Sequence, residues 1–140
     1  MMYLEHLNLT VSNIEEILKF YRVAFPNWYV RGEGDQIWNG KPRKWLHFGD
    51  DNQYLTFCDD GEGSNRDLSG HQVGLAHFAF VVTNLDAMQA RLLKAGFKQA
   101  KDGAGEPYRS NLYYLDPNGF EVEFVEYHSD LNEQRNAYAS

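Results

Sequence analysis

The strongest constraint in this chain is that one ten-residue pattern occurs twice, without a gap. His6-Leu7-Asn8-Leu9-Thr10-Val11-Ser12-Asn13-Ile14-Glu15 aligns with His77-Phe78-Ala79-Phe80-Val81-Val82-Thr83-Asn84-Leu85-Asp86 at a constant offset of 71 residues (6 to 77, 15 to 86). Leu7, Leu9, Val11 and Ile14 meet apolar residues, Ser12 meets Thr83, Asn13 meets Asn84 and Glu15 meets Asp86. Self-similarity of this kind marks a duplicated supersecondary unit, and both copies open on a histidine. Paired around a local two-fold, two such copies bring their first strands, and with them the two histidines, into one region.

Each copy predicts the order β-α-β-β-β. In the first, residues 4–11 alternate, with Leu7, Leu9 and Val11 on one face and His6, Asn8 and Thr10 on the other. Ser12 or Asn13 then caps a helix whose stripe is Ile14, Ile17, Leu18 and Tyr21, and which ends before Pro26. Strands are expected at 28–33, 44–49 and 53–58, with turns at Gly40-Lys41-Pro42 and Gly49 to Asn52. Residues 59–72 are polar and glycine-rich, as in a linker. The second copy predicts a strand over 74–82, a helix over 84–95 closed by Gly96, and strands near 97–101, 109–115 and 119–127. The tail, 128–140, is polar. The expected organisation is therefore a single domain made of module one (3–58), the linker, module two (73–127) and the tail. One face of each sheet packs on its own helix, and the other faces a cleft.

Composition narrows the function classes. With 140 residues and 43% hydrophobic content the chain can bury a core. A net charge of −7 with no basic stripe argues against nucleic acid and against an anionic membrane surface. No 18-residue apolar run is present, the first strand starts near Tyr3, and the only cysteine is Cys58. A soluble cytoplasmic protein with a buried, inert thiol is the expectation.

The third chemical signal lies on the last strand. Asp116-Pro117-Asn118-Gly119 is a turn, after which Phe120, Val122 and Phe124 suit the helix face while Glu121, Glu123 and Val125 suit the cleft face. A carboxylate in mid-strand on an enclosed face must be paired or bound to a cation. Two imidazoles, His6 and His77, with one carboxylate from this strand would suit a first-row divalent metal and leave coordination positions open. His47, beside Trp45, is expected to be a packed or solvent-facing histidine. Glu121 and Glu126 are expected to be solvated edge charges. No glycine-rich phosphate loop or Ser-His-Asp pattern is present.

The motifs His6-Leu-Asn-Leu-Thr-Val, Gly74-Leu-Ala-His77-Phe-Ala-Phe-Val-Val and Asp116-Pro-Asn-Gly-Phe-Glu-Val-Glu123-Phe resemble those of the vicinal oxygen chelate superfamily, also called the glyoxalase/bleomycin-resistance/dioxygenase superfamily. The resemblance covers residues 4–127. It implies an α+β fold of two βαβββ modules paired into a cup-shaped mixed sheet. It also implies a divalent ion (Zn, Ni, Mn or Fe(II)) held by His6, His77 and Glu123, and a small oxygen-rich substrate. By parity Thr56 holds the place of Glu123 in module one, which departs from the acidic or amide fourth ligand of the glyoxalase I type. The remaining three-ligand set resembles fosfomycin-resistance thiol transferases and extradiol ring-cleaving dioxygenases. Tyr113 takes the place of a hydrogen-bond donor to metal-bound substrate. The acid-base histidine of the dioxygenases would fall near Ala104, where none exists. Asn8, Thr56, Trp45 and Arg109 are candidate substrate contacts, and Lys98, Lys101 and Arg109 correspond loosely to a basic loop.

Three functions stay open. The first is a metal-dependent lyase or thiol transferase, with glutathione or another thiol as a possible co-substrate. The second is a ring-cleaving dioxygenase. The third is a bleomycin-resistance-like binding protein without catalysis. A homodimer is implied by the resemblance alone.

Overall fold

The computed structural model describes residues 1–138. The chain divides into two compact units, Met1–Ser64 and Asn65–Ser140. Each unit carries a four-stranded mixed sheet and a long helix.

In the first unit β1 (His6–Thr10) leads into α1 (Ile14–Ala24), followed by β2 (Tyr29–Trp38), β3 (Lys41–Gly49) and β4 (Tyr54–Cys58). The sheet order is β1-β4-β3-β2, with β1 parallel to β4 and the other pairs antiparallel. The second unit repeats this with β5 (Phe78–Val81), α2 (Leu85–Lys94), β6 (Lys101–Asp102), β7 (Arg109–Leu115) and β8 (Glu121–Tyr127), in the order β5-β8-β7-β6. The polar tail forms a short helix, α3 (Asn132–Arg135).

The repeated asparagines have one local role. Asn13 Oδ1 accepts from the Glu16 amide at 2.9 Å, and Asn84 Oδ1 accepts from the Ala87 amide at 3.0 Å. Each satisfies an amide that the first helical turn leaves without a partner. α1 then buries Ile14, Ile17, Leu18 and Tyr21, the expected stripe, together with Phe20 and Ala24. These residues and the inner sides of the strands make the core: Leu9, Leu46, Phe48, Leu55 and Phe57 are buried in the first unit, as are Phe78, Tyr114, Val122 and Phe124 in the second.

Several boundaries differ from the sequence expectation. β2 and β3 extend to Trp38 and start at Lys41, because the hairpin turns on Asn39 (φ 45°) and Gly40 (φ 80°), not on Gly40-Lys41-Pro42. Two successive positive φ values are what a tight two-residue hairpin requires. The charged, glycine-containing run from Arg31 to Gln36 hid this strand from a hydrophobic pattern. β5 is shorter than the expected 74–82, so His77 immediately precedes the strand. β6 has two residues where 97–101 was expected.

Candidate metal site

The strand registers place the predicted chemistry on one face of each sheet. In the second unit Ala79 pairs with Glu123 and Tyr113 pairs with Glu123 from the other side. Glu123 therefore shares a face with His77, Tyr113, Asn111 and Glu121, while Val122 and Phe124 point into the core. In the first unit Asn8 and His47 both pair with Thr56. Thr56 thus stands where Glu123 stands, and His47 stands where Tyr113 stands.

His77 and Glu123 come together. His77 Nε2 lies 3.2 Å from Glu123 Oε2. The other carboxylate oxygen, Oε1, accepts from Asn111 Nδ2 at 2.8 Å. The Glu123 side chain is 13% exposed and that of His77 40%. Tyr113 meets the His77 ring edge-to-face, with centroids 5.4 Å apart. Burial, and next the negative charge of Glu123, push the Tyr113 phenol above its ordinary range. It is therefore a protonated hydrogen-bond donor at neutral pH. Lys101 completes the cluster, with Nζ 2.8 Å from Glu121 Oε1 and 4.5 Å from the Tyr113 ring centre.

This donor pair fits a divalent ion. Two donors each about 2.1 Å from one ion, at an angle of roughly 90° to 110°, are about 3.0 to 3.4 Å apart. The observed separation of 3.2 Å falls inside that span. Among the described residues no three His, Cys, Asp or Glu side chains are gathered as a ligand set.

His6, the other predicted ligand, lies on β1 of the first unit. Its Nδ1 is 2.8 Å from Glu5 Oε1. A carboxylate only accepts, so Nδ1 donates in this contact, and the pairing fixes the orientation of the ring as carboxylate partners of metal-bound imidazoles do. The Tyr54 ring stacks on His6 at 4.6 Å and also on His47 at 4.6 Å, and Trp45 leans on His47 at 4.9 Å. His47 is thus part of an aromatic row on the site face. Burial, then the neighbouring His6, lower its pKa.

The remaining candidates lie on the same faces. Asn8 Oδ1 is 3.6 Å from Cys58 Sγ, and Thr56 is buried. Trp45 lies across Gly34, where an added Cβ would sit 2.9 Å from its Nε1. Arg109, at the far end of β7, is held over the Tyr138 ring at 4.8 Å and lies 3.7 Å from Glu106.

Two carboxylates depart from expectation. Glu121 is 12% exposed and paired with Lys101. Glu126 accepts from the Leu85 amide at 2.8 Å and so closes the start of α2. Sequence reasoning also missed Asn111, Glu5 and Tyr54. The available signal was parity, since Asn111 is two residues from Tyr113 and must share its face.

Two sheets of one topology, the first opening on His6 and the second immediately after His77, with Glu123 on the His77 face of the second, define a duplicated βαβββ protein. The chain belongs to the Glyoxalase/Bleomycin resistance protein/Dioxygenase superfamily, whose family model it matches over residues 3–124. No curated protein matches it. Among solved structures it resembles a glyoxylase/bleomycin resistance protein/dioxygenase domain from Frankia sp. EAN1pec, with 20% identity, TM-score 0.73, and 96% of this chain and 98% of that one covered. It also resembles the fosfomycin resistance protein FosX from Listeria monocytogenes, solved with Mn(II) and sulfate, with 17% identity, TM-score 0.65 and coverage of 96% and 98%. A third is lactoylglutathione lyase from Agrobacterium tumefaciens, with 21% identity, TM-score 0.61 and coverage of 89% and 92%. At these identities the likeness is one of fold. Among the described residues no helix is long and apolar enough to cross a membrane.

Proposed function

We propose that this chain is a metal-dependent enzyme of its superfamily, acting on a small oxygen-rich molecule by lyase or thiol-transferase chemistry. His77 and Glu123 are the ligands from the second unit, and His6 is the third donor assigned by the sequence repeat. The observation that carries the reading is the 3.2 Å approach of His77 Nε2 to Glu123 Oε2, with Oε1 already satisfied by Asn111. A divalent ion held there supplies Lewis acidity toward substrate oxygens. Tyr113 donates a hydrogen bond to the substrate oxygen beside Glu123. Asn8, Thr56, Trp45 and Arg109 are the proposed substrate contacts. Glutathione or a similar thiol is the proposed co-substrate of the transferase form, a homodimer the working assembly and the cytoplasm the compartment.

Support comes from the family and from the FosX relative that was solved with Mn(II). Elemental analysis of protein purified without chelator tests the reading. Near-stoichiometric Mn, Zn or Ni that is lost in Glu123→Ala is the expected result. Iron, with oxygen uptake on catechols, would instead select ring cleavage. The net charge of −7 favours one other reading, a binder of cationic small molecules. Failure to take up any of the four metals when supplied, with tight binding of a cationic drug, would establish it.

A further inference from the structure

We propose that Asn111 is a positioning residue for the metal centre, fixing Glu123 so that Oε2 faces His77, and that Gly103 is glycine in order to make room for its amide. The inference rests on the metal reading of Glu123.

Three observations carry it. First, Asn111 is buried, at 9% exposure, on a sheet position where an apolar side chain would cost nothing to desolvate. A buried amide is unfavourable unless bonded, and its Nδ2 donates to Glu123 Oε1 at 2.8 Å. A carboxylate accepts only, so the amide must present its NH2 group there. With Oε1 committed, Oε2 is the oxygen turned to His77 Nε2.

Second, a Cβ at Gly103 would run into the Asn111 amide and its backbone carbonyl. Gly103 does not have a left-handed φ, in contrast to Gly105 (φ 70°). Space, not backbone conformation, therefore demands glycine at position 103.

Third, the first unit is an internal control. Trp45 pairs with Cys58 as Asn111 pairs with Val125, so Trp45 occupies the Asn111 position. Gly34 lies under Trp45 as Gly103 lies under Asn111. In that unit Thr56 replaces the carboxylate. The glycine makes room for the side chain opposite it in both copies, and that side chain is an amide only where there is a glutamate to orient.

The experiment is calorimetric titration of metal-free protein with MnCl2, for wild type, Asn111→Leu and Gly103→Ala, alongside melting of the metal-free forms and the electron paramagnetic resonance spectrum of bound Mn(II). Partners that orient metal ligands typically contribute about 10- to 100-fold in affinity. Asn111→Leu should weaken Mn(II) binding by about that factor and alter the spectrum, with metal-free melting lowered modestly because Glu123 Oε1 loses its donor. Gly103→Ala keeps the asparagine but presses on both its amide and its backbone carbonyl, and should weaken binding in the same direction. Asn111→Ser, which removes the amide without adding bulk, is the deciding variant if Asn111→Leu does not fold. Wild-type affinity in the folded variants would overturn the positioning role and leave the metal reading standing. Failure of the wild type itself to bind Mn(II), Zn(II), Ni(II) or Fe(II) would overturn both.

Discussion

Replacing Asp116 tests whether its carboxylate holds the turn before β8 together. Asp116 is 4% exposed, and its Oδ1 accepts from the Asn118 amide at 2.9 Å and from the Phe120 amide at 3.0 Å. The backbone closes the same turn, since the Gly119 amide donates to the Asp116 carbonyl at 2.9 Å. Hydrogen bonds to a charged acceptor contribute about 1.5 to 3 kcal/mol each. Asn118 and Phe120 are only half-buried, so water recovers part of each loss. Asp116→Ala should then cost about 2 to 3 kcal/mol in all. Asp116→Asn keeps an acceptor oxygen and should cost about 1 kcal/mol. With a urea dependence of about 2 kcal/mol per molar, the alanine variant shifts the unfolding midpoint by about 1 to 1.5 M. Urea unfolding followed by far-ultraviolet circular dichroism measures both variants. Midpoints indistinguishable from wild type, or an asparagine variant as damaged as the alanine one, would refute the reasoning.

Other sites give further expectations. Phe57→Ala and Phe124→Ala each empty a fully buried position and should cost about 3 to 5 kcal/mol, read by the same unfolding experiment. Glu126→Gln removes a charged acceptor from the start of α2 and should cost about 0.5 to 1 kcal/mol. Burial raises the Cys58 thiol pKa, with the nearby Arg43 opposing and Asp60 and Asp59 adding to the rise. Cys58 should therefore resist a thiol reagent in the native protein and react after denaturation. The sign of its pH effect follows from that shift: its contribution to stability is complete below the unfolded thiol pKa of about 8.5 and is lost as pH rises through the higher folded value. A shallower decline across that range in Cys58→Ala than in wild type is the check.

Much of this protein was legible before any fold was seen. The repeat gave the duplicated βαβββ order, because each copy carries its own strand alternation, asparagine cap and helical stripe. Parity put His77 and Glu123 on the site faces of their strands and Thr56 in the place of Glu123, because side chains alternate with a period of two, while Tyr113 came from the family resemblance. Those signals are local, and local chemistry sets them. What sequence left hidden depends on partners distant in the chain. Glu126 looked like an edge charge until β8 came to rest beside the start of α2. His47 and Tyr54 became an aromatic row only once β3, β4 and β1 were in register. Asn111 acquired its role only when β7 lay against β8 and Gly103 passed beneath it. Alternation says which face a residue takes, but the neighbour across that face is chosen by strand pairing. A hydrogen bond between residues twelve positions apart, such as Asn111 to Glu123, is decided by the tertiary structure.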